Sequence, residues 1–229
     1  MDSIWINAPA KINIGLDVIR RREDGYHEVK MIMQSIRLFD RLTLTKTKEP
    51  GIKLTTNLSY LPVNEDNLVY QSAKRLMDEF HLEGGLDIKL DKRIPVAAGM
   101  AGGSTDAASC MLAINDLYGL GLSKRHLMKR GVKLGADIPY CILKGTALSE
   151  GIGEKLSPIP AMPSCYILIA KPNIHVSTKW VYTNLVLDEH TNHPDIDGML
   201  ASMKKRDLLS LSNQIGNVLE SVTIPAYPQ

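Results

Sequence analysis

A strand, a glycine-rich turn and a helix follow one another between Leu86 and Ile114, and this junction constrains the fold more than any other stretch. Leu86, Ile88 and Leu90 alternate with Asp87 and Lys89, the period of a half-buried strand, whereas Ala107, Ala108, Met111, Leu112 and Ile114 recur at helical spacing. Between them run Pro95, Val96, Ala97, Ala98, Gly99, Met100, Ala101, Gly102, Gly103, Ser104, Thr105 and Asp106. Three glycines without Cβ atoms let backbone close on a ligand, and Ser104, Thr105 or Asp106 is available to cap the helix. The free N–H groups and positive dipole end of such a helix favour a di- or triphosphate. The stretch therefore reads as a phosphate-holding loop, with a tight turn packing a helix on a sheet as the alternative. It is not a Walker A loop, because Ser104 rather than Lys follows Gly103, and it lacks the G-x-G-x-x-G spacing.

At 229 residues and 44% apolar content, the chain suffices for one large domain or two modest ones. A net charge of +2, only 5% aromatic residues and no long basic run argue against polynucleotide binding, since Lys204, Lys205 and Arg206 form only a short solvated cluster. Cys110, Cys141 and Cys165 are widely spaced and form no C-x-x-C pair, so neither a disulfide framework nor a zinc knuckle is indicated and a reducing cytoplasm fits. No stretch approaches the ~20 apolar residues that span a bilayer. A soluble cytoplasmic protein is the expectation.

Strands are expected on both sides of Pro9, and Lys11 and Asn13 share a strand face. Lys11 is either solvated at a rim or directed into a site. Asp24-Gly25 marks a turn, after which Tyr26 and His27 either cover a hairpin or form a platform for a flat heterocycle. Strands continue over Met31–Thr47, and Lys46–Asn57 reads as polar and turn-rich. Asp66 or Asn67 is placed to cap a helix carrying Leu68, Val69, Ala73, Leu76, Met77 and Phe80. A further helix opens at Ser123 and stops at Gly135. Asp137, just beyond that stop, is a helix cap or a carboxylate held in a cleft as a base. Gly145–Glu154 reads as a loop or hairpin, Pro158, Pro160 and Pro163 as a domain boundary, and Tyr166–Ala170 as a buried strand. Helices are expected over 196–206 and 207–221. His190 and His193, three apart in a polar stretch, are only weak evidence for a metal site, and zinc is not expected.

Taken together, Pro9-Ala10-Lys11-Ile12-Asn13, Asp24-Gly25-Tyr26-His27, the glycine loop and Gly135-Ala136-Asp137-Ile138-Pro139 resemble a kinase of the GHMP superfamily. The likeness covers essentially the whole chain, with Met100 and Ala101 standing where Leu and Gly are common. It implies a two-domain α+β fold, with an N-terminal ribosomal protein S5 domain 2-like ATP-binding domain over 1–157 and a C-terminal α/β sandwich domain over 164–229. That second domain is expected to be incomplete, because family members continue beyond the equivalent of Gln229.

The resemblance further implies an ATP- and Mg2+-dependent small-molecule kinase of isoprenoid biosynthesis whose substrate is cytidine diphosphate methylerythritol. Lys11 and Asp137 would flank the acceptor hydroxyl, Asp137 as base and Lys11 as charge stabiliser. Tyr26, His27 and Tyr182 would hold the cytosine, and Asn13 and Thr178 would add polar contacts. Residues Pro95 to Thr105 would take the phosphates, Asn67 and Lys92 would lie near the adenosine, and no side chain is assigned to the metal. A monomer or homodimer is expected. The rivals are another GHMP kinase with a plain alcohol acceptor, or a nucleotide-binding module without turnover.

Overall fold

The computed structural model describes residues 2–228. The chain forms two compact units, one of Met1–Lys11 with Ser35–Lys144, the other of Ile12–Gln34 with Gly145–Gln229. Two long neighbouring strands, β1 (Ser3–Arg21) and β2 (His27–Thr47), contribute to both. β1 passes through Pro9 unbroken, where two short strands were expected.

In the first unit, β2 pairs antiparallel with β4 (Gly85–Asp91), and β4 pairs parallel with β3 (Gly51–Thr56). Leu42 opposes Leu90 and Leu44 opposes Ile88, so one face of this ladder is a closed apolar layer. β3 lies in the stretch read as turn-rich. Its alternation of Ile52 and Leu54 with Lys53 and Thr55 is short, and its parallel partner is more than thirty residues away. Helix α1 (Leu68–Glu79) makes the crossover between those strands and buries Val69, Ala73 and Leu76 along one face. It packs on α2 (Gly102–Tyr118), which is buried almost all round through Ala107, Ala108, Cys110, Met111, Ala113 and Ile114. Helices α3 (Lys124–Gly131) and α4 (Ile138–Leu143) complete the layer, α4 against both α2 and α3. A helix enclosed like α2 is fixed in position, and so is the loop at its N-terminus.

In the second unit, β2 pairs antiparallel with β5 (Thr146–Gly151), which turns into β6 (Lys155–Pro158); this is the expected hairpin. The pairing draws residues 145–158 into the second unit, so its boundary lies ahead of the proline cluster and Pro158–Pro163 falls inside it. α5 (Thr178–Asn184), α6 (Ile196–Lys205), α7 (Leu208–Gln214), β7 (Gly216–Asn217) and α8 (Glu220–Ala226) follow. The single helix expected over 207–221 is interrupted because Gly216 and Asn217 pair parallel with Gly15 and Leu16 of β1. Ile14, Ile32, Ile196, Met199, Met203 and Leu211 form one core cluster, and Leu16, Val18, Val29 and Val218 another. The buried strand expected over Tyr166–Ala170 is not formed. These residues are irregular and exposed, Tyr166 and Leu168 almost completely, because no described strand pairs with them and an unpaired extended run has no ladder. Among the described residues no helix is long and apolar enough to cross a membrane.

Candidate active site

The glycine loop leaves β4 and ends in α2. Its last residue, Ala101, adopts a left-handed conformation (φ 55°) and caps the helix with no side-chain hydrogen bond. Ser104, Thr105 and Asp106 lie inside the first turns instead of ahead of them, so the helix begins earlier than a side-chain cap would dictate. Its leading N–H groups are left without a side-chain acceptor, the arrangement that favours an anion. Gly102 is closely approached: a Cβ there would lie 3.2 Å from Lys92 Nζ and 3.4 Å from Ile94. The loop is also tied to β1, since the Lys11 N–H donates to the Met100 carbonyl at 3.1 Å.

Lys11 is buried, at 7% exposure. Asp137 occupies the N-cap position of α4 but makes no capping hydrogen bond, so its half-buried carboxylate is not consumed by the helix. Lys11 and Asp137 both act electrostatically on the thiol of Cys141, which lies one turn into α4; burial first, and then Asp137, raise that thiol to about 12. The same segment reaches the start of α2 beside the glycine loop, because a Cβ on Gly135 would sit 3.9 Å from Ser104 Oγ. A cation, a carboxylate and an uncapped helix N-terminus are thus gathered within the first unit.

A separate cavity of about 480 Å³ opens in the second unit. Tyr26, His27, Thr178 and Tyr182 line it, joined by Arg21 and Lys179, which the sequence did not single out. The turn carrying Tyr26 is closed by the Arg22 N–H donating to the Tyr26 carbonyl at 2.8 Å. The His27 and Tyr182 rings stand 5.1 Å apart at 40°, and Tyr26 is 61% exposed. Burial, then the nearby Arg21 guanidinium, lowers the pKa of His27, which keeps its imidazole neutral at neutral pH. Asn13 is half-buried on β1 in this unit.

Two expected nucleotide residues have partners within the protein. Asn67 caps α1, its Oδ1 accepting from the Val69 N–H at 2.8 Å and its Nδ2 donating to the Pro62 carbonyl at 2.7 Å. Lys92 is buried, with its ammonium between Asp40 and Asp106. Asp40 did not stand out in the sequence, because a single Asp within a strand has no periodic signature, and Asp106 was read there only as a possible helix cap. His193 Nδ1 lies 2.6 Å from Asp17 Oδ1 and His190 beside Glu189. Among the described residues no three His, Cys, Asp or Glu side chains converge in a way that could hold a metal ion.

Residues 67–145 match the family model for the GHMP kinases N terminal domain. The chain is 56% identical over its whole length to the 4-diphosphocytidyl-2-C-methyl-D-erythritol kinase of Lachnoclostridium phytofermentans, and spans 79% of that protein. It is 54% identical, again across 79% of the relative, to the enzyme of the same name from Lachnospira eligens. Among solved structures, a 4-(cytidine 5'-diphospho)-2C-methyl-D-erythritol kinase superposes with a TM-score of 0.79 at 29% identity, matching 98% of this chain and 79% of the other. The homoserine kinase of Cytophaga hutchinsonii shares the fold, with a TM-score of 0.70 at 20% identity, 100% of this chain matching 77% of that one.

Proposed function

Because this chain belongs to the GHMP kinases, in the family of 4-diphosphocytidyl-2-C-methyl-D-erythritol kinases, we propose that it transfers the γ-phosphoryl group of ATP to the 2-hydroxyl of 4-diphosphocytidyl-2-C-methyl-D-erythritol, releasing ADP. The observation that carries the chemistry is the gathering of Lys11, Asp137 and Ser104 around the uncapped start of α2. The α2 N–H groups and the glycine-loop backbone hold the ATP phosphates. The substrate hydroxyl oxygen attacks the γ-phosphorus, the bond from that phosphorus to the β,γ-bridging oxygen breaks, and the hydroxyl proton passes to Asp137. The Lys11 ammonium orients the hydroxyl and offsets charge developing on the transferred group. Such a reaction is mostly positioning and electrostatic stabilisation, which this set of groups supplies.

The cytosine is assigned to the cavity of Tyr26, His27 and Tyr182. Its volume falls in the range of small-molecule sites, and a neutral imidazole offers one donor and one acceptor to a base edge. Thr178 and Asn13 add polar contacts. Mg2+ enters with the nucleotide as part of the substrate, as an ion that keeps several of its waters. Asn67 is assigned to its cap rather than to the adenosine. Three free cysteines and dependence on ATP fit a cytoplasmic enzyme.

The test is ADP release by the chain with MgATP and the cytidine substrate, beside Asp137→Asn. The wild type is expected to turn over, and the variant to lose about 10²–10⁴-fold in kcat with little change in KM. Equal rates in the two proteins would remove Asp137 from the mechanism. ATP binding without ADP formation would leave a nucleotide-binding module.

A further inference from the structure

Beneath the phosphate loop lies a charged cluster that the reaction does not use directly. The Lys92 ammonium, just beyond β4, contacts Asp40 of β2 and lies 2.7 Å from Asp106 Oδ2 of α2. All three side chains are nearly inaccessible: Asp40 is 0% exposed, Asp106 2% and Lys92 4%. Asp40 Oδ1 accepts from the backbone N–H groups of Arg93 and Ile94, the residues entering the loop. Lys92 lies against Gly102 and bonds Asp106, at the end where the loop becomes a helix. The cluster therefore grips both ends of the loop.

Its charge does not balance as written. One ammonium cannot neutralise two buried carboxylates, and the surplus negative charge would lie beneath a loop that takes a triphosphate. The two carboxyl groups also differ in their partners. Asp40 has three donors, one of them the ammonium. Asp106 has the ammonium alone, and its Oδ1 is buried without a hydrogen-bond partner. The other titratable groups that face Asp106 are Cys110 of α2 and Cys141 of α4. Burial raises both thiols to about 12, so neither supplies charge.

We propose that Lys92 and Asp40 are positioning residues that hold the phosphate loop as an ion pair, and that Asp106 completes the cluster as a neutral carboxylic acid. A proton on Asp106 removes the excess charge beneath the loop. Burial foremost, and Asp40 against the opposing pull of Lys92, hold Asp106 well above the usual carboxylate range. Burial of Lys92 acts against its charge and its contacts with the two aspartates act for it; with Asp106 protonated, the Asp40 carboxylate remains as its counter-ion. The ATP part of this inference rests on the kinase reading; the protonation of Asp106 does not.

Two measurements test it. Infrared spectra of the intact protein at neutral pH should contain the carbonyl stretch of a protonated carboxylic acid, and Asp106→Asn should remove it. MgATP titrations should find Asp106→Asn, a neutral side chain of the same shape, within about threefold of wild type, whereas Asp40→Asn and Lys92→Met weaken binding about tenfold or more. The KM for the cytidine substrate should stay put in all three. A missing band, or an Asp106→Asn loss as large as that of Asp40→Asn, overturns the proposal. If Asp40→Asn or Lys92→Met does not fold, the band and the Asp106→Asn titration still decide it. A wild type that binds no MgATP would sink the kinase reading, and the band would still report on Asp106.

Discussion

Each candidate residue had an ordinary alternative role, and local hydrogen bonding separates several of them. Asp137 sits where a helix cap would, yet its side chain accepts no hydrogen bond from the helix; Asn67 sits at the same kind of position and uses both ends of its amide there. Propensity alone scores the two alike, because both residue types favour N-caps. His27 illustrates the value of a neighbour. Its pKa is lowered by burial and by Arg21, so protonation is disfavoured in the folded cavity. A folded pKa below that of the unfolded chain means that its contribution to stability is present above about pH 6.5 and is lost as pH falls through the folded value. With substrate, kcat/KM is expected to fall on that acid limb as the imidazolium forms. Arg21→Gln should move the limb to higher pH, toward the ordinary histidine value, and a pH–rate profile with the limb unmoved would remove Arg21 from this role.

At the scale of elements, long periodic segments were legible and short paired ones were not. α1, α2 and β4 were evident because each repeats its apolar spacing over several turns or alternations. β3 and β7 were missed, since six and two residues carry little periodicity and both depend on distant partners. Close packing left an equally faint trace: at Gly15 a Cβ would fall 2.5 Å from Met199 Sδ, a contact invisible in the sequence of β1. The cap of α1 gives the prediction at this scale. Asn67→Ala should cost about 1 kcal/mol, lowering Tm by roughly 2–4 °C for a chain of this size. Thermal denaturation checks this, and a concurrent rise of more than about threefold in KM for ATP would restore a nucleotide role to Asn67.

For the molecule as a whole, the glycine loop, the turn at Asp24-Gly25 and the Asp137 segment announced a GHMP kinase, and full-length relatives at 54–56% identity place the chain in that family. Regular backbone hydrogen bonding is spread unevenly, however. Residues 159–177 contain no helix or strand, and Tyr166 and Leu168 are among the most exposed apolar side chains. Limited proteolysis is therefore expected to cut between 159 and 177 before it cuts β1, β2 or β4, and hydrogen exchange there should be complete while the β2–β4 ladder remains protected. First cleavage within the ladder would contradict this distribution of stability. The sequence by itself determined the strand–loop–helix junction and the amphipathic faces of the main helices, because these follow from steric preference and periodicity over neighbouring residues. Only the tertiary structure decided which carboxylates share Lys92, which Asn is consumed by a cap and where the units divide. Those outcomes depend on groups tens of residues apart competing for the same buried charge, donor or strand edge, and no local pattern encodes that competition.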